Sequence, residues 1–110
     1  MAPFQPDHRL QRIIADVVAR AIALMAPQRI WLFGSQAAGT ARRDSDADFG
    51  FEISPSAREN WSRFVLEAAE SVPALIELDL VDLGTCSPSL ADVIRDGARL
   101  IYEAQRDDHA

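Results

Sequence analysis

The chain has 110 residues, which is the size of one domain. Its 17 acidic residues outnumber the 11 basic ones and give a formal net charge of −6. Proteins that bind nucleic acids directly need a concentrated basic surface to displace counterions, so this charge argues against that function. It does not exclude binding of a nucleotide, because a divalent cation can screen the phosphates. Cys86 is the only cysteine, which excludes an intrachain disulfide.

Two features absent from the sequence bear on where the protein is located. The N-terminal residues contain no apolar run resembling a signal peptide, and no stretch is long and apolar enough to cross a bilayer. We therefore expect a cytoplasmic protein that does not contact a membrane. We expect residues 1–110 to form a single domain, with residues 1–6 and 104–110 frayed.

The spacing of apolar residues predicts alternating helices and strands. Apolar residues recur at helical spacing from Leu10 to Met25, and Pro27 ends this first predicted helix. The other predicted elements are strands at 29–33, 46–53, 75–83 and 99–102, and helices at 36–38, 54–70 and 89–95. The order α-β-α-β-α-β-α-β predicts an α/β (α+β) domain in which helices cover a small mixed sheet.

A glycine and a serine follow the first predicted strand. Gly34 allows the backbone to turn sharply and lets an anion approach it closely. A helical turn after it would direct free N–H groups toward that anion, and the Ser35 hydroxyl would add a donor. Because Gly-Ser is a common dipeptide, an ordinary strand-to-helix turn is the better interpretation of this feature taken alone.

Two aspartates, Asp46 and Asp48, stand two positions apart at the start of the second predicted strand. Alternate residues of a strand point to the same face, so both carboxylates would converge. Such carboxylates repel each other, and a divalent cation such as Mg²⁺ removes the conflict. The alternative for an isolated Asp-x-Asp is a solvated strand end.

A third carboxylate lies within an otherwise apolar predicted strand. Aspartate is unfavourable in strand interiors, and a buried carboxylate needs a partner or a metal ion. Asp79 lies in the middle of this strand, whereas Asp82 lies nearer its end, where exposure is easier. We therefore prefer Asp79 as the third site carboxylate, with the wet face of an edge strand as the alternative.

Together these features resemble the DNA polymerase β-like nucleotidyltransferase superfamily. The similarity lies in Gly34-Ser35, a spacer of ten residues, Asp46-Ala47-Asp48, and Asp79 on a later strand. This spacing is similar to that of the minimal nucleotidyltransferase (MNT) branch. The resemblance extends from the first predicted helix to the last predicted strand.

The resemblance implies a role for each matching residue. Gly34 and Ser35 would bind the triphosphate of ATP. Asp46 and Asp48 would ligate two Mg²⁺ ions, and Asp79 would complete this metal site and help to activate the attacking hydroxyl. The implied reaction is transfer of a nucleoside monophosphate, with AMP from ATP the expected case, and pyrophosphate as the leaving group.

Many MNT proteins resemble antitoxins of HEPN/MNT toxin–antitoxin pairs. In those pairs the MNT protein binds a HEPN ribonuclease and can transfer AMP to one of its tyrosines. The resemblance therefore implies a HEPN-family toxin as the partner, and it leaves open whether the chain forms a homo- or a hetero-oligomer.

One position departs from the family pattern. Close relatives often carry an arginine directly after Gly-Ser, where this chain has Gln36. Arg42 or Arg43 would then supply the positive charge to the triphosphate. If neither does, the alternative is an antitoxin that neutralises its partner by binding alone. A third possibility, transfer to a small molecule such as an aminoglycoside, would need a further domain or a dimer.

Overall fold

The computed structural model describes residues 8–34, 37, 47–71 and 77–105. Its helices are α1 (His8–Met25), a 3-10 helix (Pro55–Asn60), α2 (Trp61–Ser71) and α3 (Pro88–Gly97). Its strands are β1 (Arg29–Phe33), β2 (Ala47–Glu52), β3 (Leu78–Asp82) and β4 (Arg99–Glu103). The predicted helical turn at 36–38 lies outside the described residues except for Ala37.

Helix α1 follows the predicted apolar stripe. It buries one residue per turn on a single face: Leu10, Ile13, Val17, Ala21 and Met25. The helix ends two residues before Pro27, which cannot donate a backbone hydrogen bond. Among the described residues, no helix is both long and apolar enough to cross a membrane.

The predicted helix over 54–70 is divided into the 3-10 helix and α2. Among the described residues, the Ser54 hydroxyl caps no backbone N–H and instead lies 3.2 Å from the Ser56 hydroxyl. The side chain of Asn60 donates to the Leu24 carbonyl at 2.8 Å, which satisfies an acceptor in the last turn of α1. The junction between the two helical segments is thereby fixed to α1.

The four strands form one mixed sheet in the order β3-β2-β1-β4. β1 is antiparallel to both of its neighbours, and β2 is parallel to β3. Helices cover both faces, which confirms the expected α+β class and the mixed sheet. In the register, Phe33 is opposite Asp48, and Asp48 is opposite Asp79.

One face of the sheet packs against α1 and α2 and holds the larger core. The rings of Phe51 and Phe64 meet edge to face, with centroids 5.0 Å apart and planes at 72°. The buried strand residues of this face are Ile30, Leu32, Ala47, Phe49 and Phe51. Because successive strand residues alternate between faces, Asp48 and Gly50 point to the opposite side.

The opposite face packs against the single helix α3. Its buried residues are Leu83, Ala91 and Ile94. A Cβ on Gly50 would lie 3.2 Å from the Leu83 side chain, so a glycine lets this side chain reach the sheet. This smaller core leaves the start of β2 accessible, where Asp48 is partly exposed.

Asp82 is buried and forms an ion pair with Arg58. Its Oδ2 accepts a hydrogen bond from Nε of Arg58 at 2.8 Å, and its Oδ1 accepts one from the backbone N–H of Gly84 at 2.9 Å. A Cβ on Gly84 would overlap the Arg58 guanidinium, so glycine makes room for the pair. A buried carboxylate is tolerated when it is paired and hydrogen-bonded. The pair fastens the 3-10 helix to the end of β3.

Replacing Arg58 by alanine would leave the Asp82 carboxylate, 7% exposed, without its counterion. Because the Arg58 side chain is itself 29% exposed, we expect the free energy of unfolding to fall by about 2 kcal/mol, below the usual cost of breaking a fully buried pair. Urea denaturation measures this change.

Arg63→Ala is the matched control. Arg63 makes an i,i+4 pair with Glu67 and is 69% exposed, so we expect its loss to cost at most about 0.5 kcal/mol. Equal effects of the two substitutions would contradict the structural role of the Arg58–Asp82 pair.

Candidate functional site

The site begins where β1 ends. Gly34 directly follows β1 and has a φ of +73°, a conformation that favours glycine. A Cβ at this position would overlap Oδ2 of Asp48 and lie 3.2 Å from its Cγ. Both the backbone conformation and the neighbouring carboxylate therefore require a glycine here. The group beside Gly34 in the structure is the Asp48 carboxylate, and the approach of a triphosphate to Gly34 stays a prediction.

Asp48 and Asp79 lie side by side on parallel strands. They are register partners on β2 and β3, and neighbouring strands are about 4.8 Å apart. Both point to the α3 face, where Asp79 is exposed and Asp48 partly exposed. Their oxygen donors fit a hard divalent ion such as Mg²⁺.

Asp79 and Asp82 lie on opposite faces of the sheet. The two residues are three positions apart on one strand, so they point to opposite sides. Asp82 lies on the side of α1 and α2 and pairs with Arg58. Of these two aspartates, only Asp79 is beside Asp48. The expected difference in their exposure was wrong, because Asp82 is buried by its ion pair at the end of β3 and Asp79 is exposed on the edge strand.

Four predicted site residues lie outside the described residues: Ser35, Arg42, Arg43 and Asp46. Their roles stay predictions. Within the described ranges, no three His, Cys, Asp or Glu side chains form a group that could hold a metal ion. Asp48 and Asp79 therefore make up the described part of the predicted ligand set.

The tertiary structure adds a residue that the sequence did not single out. Nε of Arg99, at the start of β4, donates a hydrogen bond to the carbonyl of Ala37 at 3.1 Å. Ala37 lies three residues after Gly34, whereas Arg99 is far away along the chain. No local pattern relates the two positions; the pairing of β4 with β1 brings them together.

The sheet, its covering helices and this arrangement at the end of β1 define a nucleotidyltransferase fold. A family model described as Polymerase beta, Nucleotidyltransferase matches residues 19–107. The chain belongs to this polymerase beta nucleotidyltransferase family, which confirms the expected membership. A comparison with curated proteins gave no match.

Solved structures agree with this assignment. A toxin–antitoxin with AMP-PNP has 27% identity and a TM-score of 0.61, covering 90% of this chain and 77% of that chain. A structure described as a minimal nucleotidyltransferase has 24% identity and a TM-score of 0.64, covering 82% and 90%. A variant of the MntA–HpeT toxin–antitoxin also has 24% identity and a TM-score of 0.64, covering 87% and 77%. The last two similarities concern the fold.

Replacing Gly34 by alanine combines a left-handed backbone with overlap on the Asp48 carboxylate. We expect the free energy of unfolding to fall by about 2 kcal/mol, since a non-glycine residue in this conformation alone costs about 1–3 kcal/mol. Denaturation in urea measures the change.

The matched control is Gly97→Ala at the end of α3. Among the described residues, no atom lies within 4 Å of a Cβ placed on Gly97. Alanine is a better helix former than glycine, so we expect no loss of stability there. If both substitutions destabilised the protein equally, the special requirement for Gly34 would be wrong.

Proposed function

We propose that this chain transfers AMP from ATP, with Mg²⁺, to a partner protein and acts as the antitoxin of a HEPN-family toxin. The observation that carries the proposal is the in-register pair Asp48 and Asp79, with Gly34 against the Asp48 carboxylate. This pair is on the accessible side of the sheet in a chain of the nucleotidyltransferase family.

Two of the described aspartates would bind the metal ions, and the glycine beside them would leave room for the triphosphate. Asp48 and Asp79 would hold two Mg²⁺ ions together with Asp46, the predicted ligand that lies outside the described residues. Bound Mg²⁺ would neutralise charge on the phosphates and make the acceptor hydroxyl easier to deprotonate. Gly34 would leave room for the triphosphate beside Asp48, with Ser35 as a predicted donor.

The reaction balances without a further reactant. The acceptor oxygen attacks the α-phosphorus of ATP and forms the new ester bond. The bond from that phosphorus to the bridging oxygen of the β-phosphate breaks, and pyrophosphate leaves. The hydroxyl proton passes to the Asp79 carboxylate, which is exposed and therefore accessible to an incoming acceptor. Arg42 and Arg43 are the predicted contacts to the triphosphate.

Two of the similar structures support the choice of nucleotide and partner. One is a toxin–antitoxin with AMP-PNP, which is an analogue of ATP. The other is a toxin–antitoxin variant with two aspartate-to-glutamate substitutions two positions apart. The same spacing separates Asp46 from Asp48 in this chain.

A second candidate function is neutralisation of the toxin by binding alone. Gln36 favours it, because that position carries no positive charge for the triphosphate. The aspartates favour catalysis, because two carboxylates on neighbouring strands of one face can hold Mg²⁺ together, which a protein that acts by binding alone does not require.

The two candidate functions differ in whether the α-phosphate of ATP becomes attached to the partner protein. The purified chain is incubated with Mg²⁺, ATP labelled at the α-phosphate and the protein encoded by the adjacent gene. We expect label on that protein, and we expect it to vanish in an Asp46→Ala/Asp48→Ala variant. If no label appears while both forms bind and neutralise the toxin, the chain acts by binding alone.

The third carboxylate can be identified with two matched substitutions. Because Asp79 would bind metal and accept the proton, we expect Asp79→Asn to lower kcat by a factor of about 100 or more while the unfolding free energy is kept. Because Asp82 is paired with Arg58 on the other face, we expect Asp82→Asn to cost about 2 kcal/mol of stability. Its kcat, measured where the protein stays folded, should change less than about threefold, or by at most about 0.65 kcal/mol in activation free energy.

The measurements are transfer kinetics and urea denaturation of both variants. The reverse pattern, with Asp82→Asn inactive and Asp79→Asn active, would show that the wrong carboxylate was assigned.

A further inference from the structure

The edge strand β4 contributes a contact to the segment that follows Gly34. Arg99 donates from Nε to the Ala37 carbonyl at 3.1 Å. Ala37 is 3% exposed and packs in the core between the sheet, α1 and α2. A hydrogen bond with a charged donor is stronger than one between neutral groups.

A β-bulge in β4 explains why Arg99 points toward Ala37. Ile30 pairs with Tyr102, but the next residue, Trp31, pairs with Leu100, so Ile101 is the extra residue. The same shift puts Arg99 opposite Leu32. An extra residue of this kind reverses the face of the residues on one side of it relative to the partner strand, and Arg99 lies two residues before Ile101.

Without the bulge, Arg99 would lie on the other face of the sheet. Arg99 would then pair with Phe33, whose side chain packs on the α3 face. Directly opposed residues of an antiparallel pair share a face. With the bulge, Arg99 instead shares the face of Leu32, which belongs to the same core as Ala37. The extra residue in β4 therefore brings the guanidinium to the side on which the Ala37 carbonyl is found.

Gly34 and Ala37 are the two described positions that follow β1, and each makes a contact that holds it. Gly34 lies against the Asp48 carboxylate, and Ala37 is held by burial and by Arg99. We propose that Arg99 is a positioning residue, which holds Ala37, three residues after Gly34, at the place where the triphosphate would bind. This inference rests on the proposed function, which assigns the triphosphate to the turn that begins at Gly34.

A fixed phosphate-binding backbone acts equally on bound ATP and on the transition state. Its loosening should weaken ATP binding and leave the chemical step almost unchanged. We therefore expect Arg99→Ala to raise the Kd and the KM for ATP with Mg²⁺ about tenfold, with kcat changed less than about threefold. Arg99→Lys keeps a charged donor, so we expect it to recover most of the lost affinity.

Arg29→Ala is the matched control. Arg29 is also an exposed strand arginine and pairs across β1 and β4, with Glu103, but at the opposite end of β1 from Gly34. Its removal takes away the same charge and one contact between the same two strands. We expect the Kd for ATP with Mg²⁺ to stay within about twofold of the unsubstituted chain, which is about 0.4 kcal/mol.

The experiment combines calorimetry of ATP binding with Mg²⁺, transfer kinetics and amide hydrogen exchange of the full chain. In Arg99→Ala, exchange at Ala37 should accelerate about tenfold, and in Arg29→Ala it should not. Unchanged exchange and unchanged Kd in Arg99→Ala would overturn the inference while the proposed function stands. If the unsubstituted chain binds no ATP with Mg²⁺, the proposed function fails and the inference fails with it. A similar loss of affinity in Arg29→Ala and Arg99→Ala would also overturn the inference, because the effect would then be one of net charge.

Discussion

The candidate site depends on the register of the strands β1, β2 and β3. The parallel pairing of β2 with β3 puts Asp48 and Asp79 next to each other on one face. Two carboxylates on neighbouring strands of one face can both contribute oxygen ligands to a divalent ion. The pair lies at an accessible position, and the antiparallel pairing of β1 with β2 brings Gly34 against the Asp48 carboxylate.

The two faces of the sheet differ in the size of the core that packs against them. The face toward α1 and α2 holds the aromatic core around Phe51 and Phe64, which keeps the strands in register. The buried pair of Arg58 and Asp82 on the same side fastens the end of the strand that carries Asp79. The face toward α3 has the smaller core and leaves the acidic pair accessible. The larger core and the proposed chemistry thus lie on opposite sides of the same strands.

The edge strand β4 reaches the segment that follows β1 through a single side chain, that of Arg99. β4 contributes no member of the glycine-serine and aspartate motif, yet its bulge directs Arg99 to the Ala37 carbonyl. One extra residue in a strand reverses the face of the residues on one side of it relative to the partner strand, here Leu100 and Arg99, because the side-chain period of a strand is two. The position of Arg99 is therefore a consequence of register and not of local sequence.

The sequence by itself determined the family, the order of the elements apart from the predicted turn at 36–38, and the candidate residues Gly34, Asp48 and Asp79. These rest on local spacing: the period of an amphipathic helix, alternation in a strand, and the distance from Gly-Ser to Asp-x-Asp. Only the tertiary structure decided that Asp82 belongs to a buried ion pair and that Arg99 contacts Ala37. Both contacts join residues 24 or more positions apart, and such pairings depend on strand register and helix packing, which local patterns do not encode.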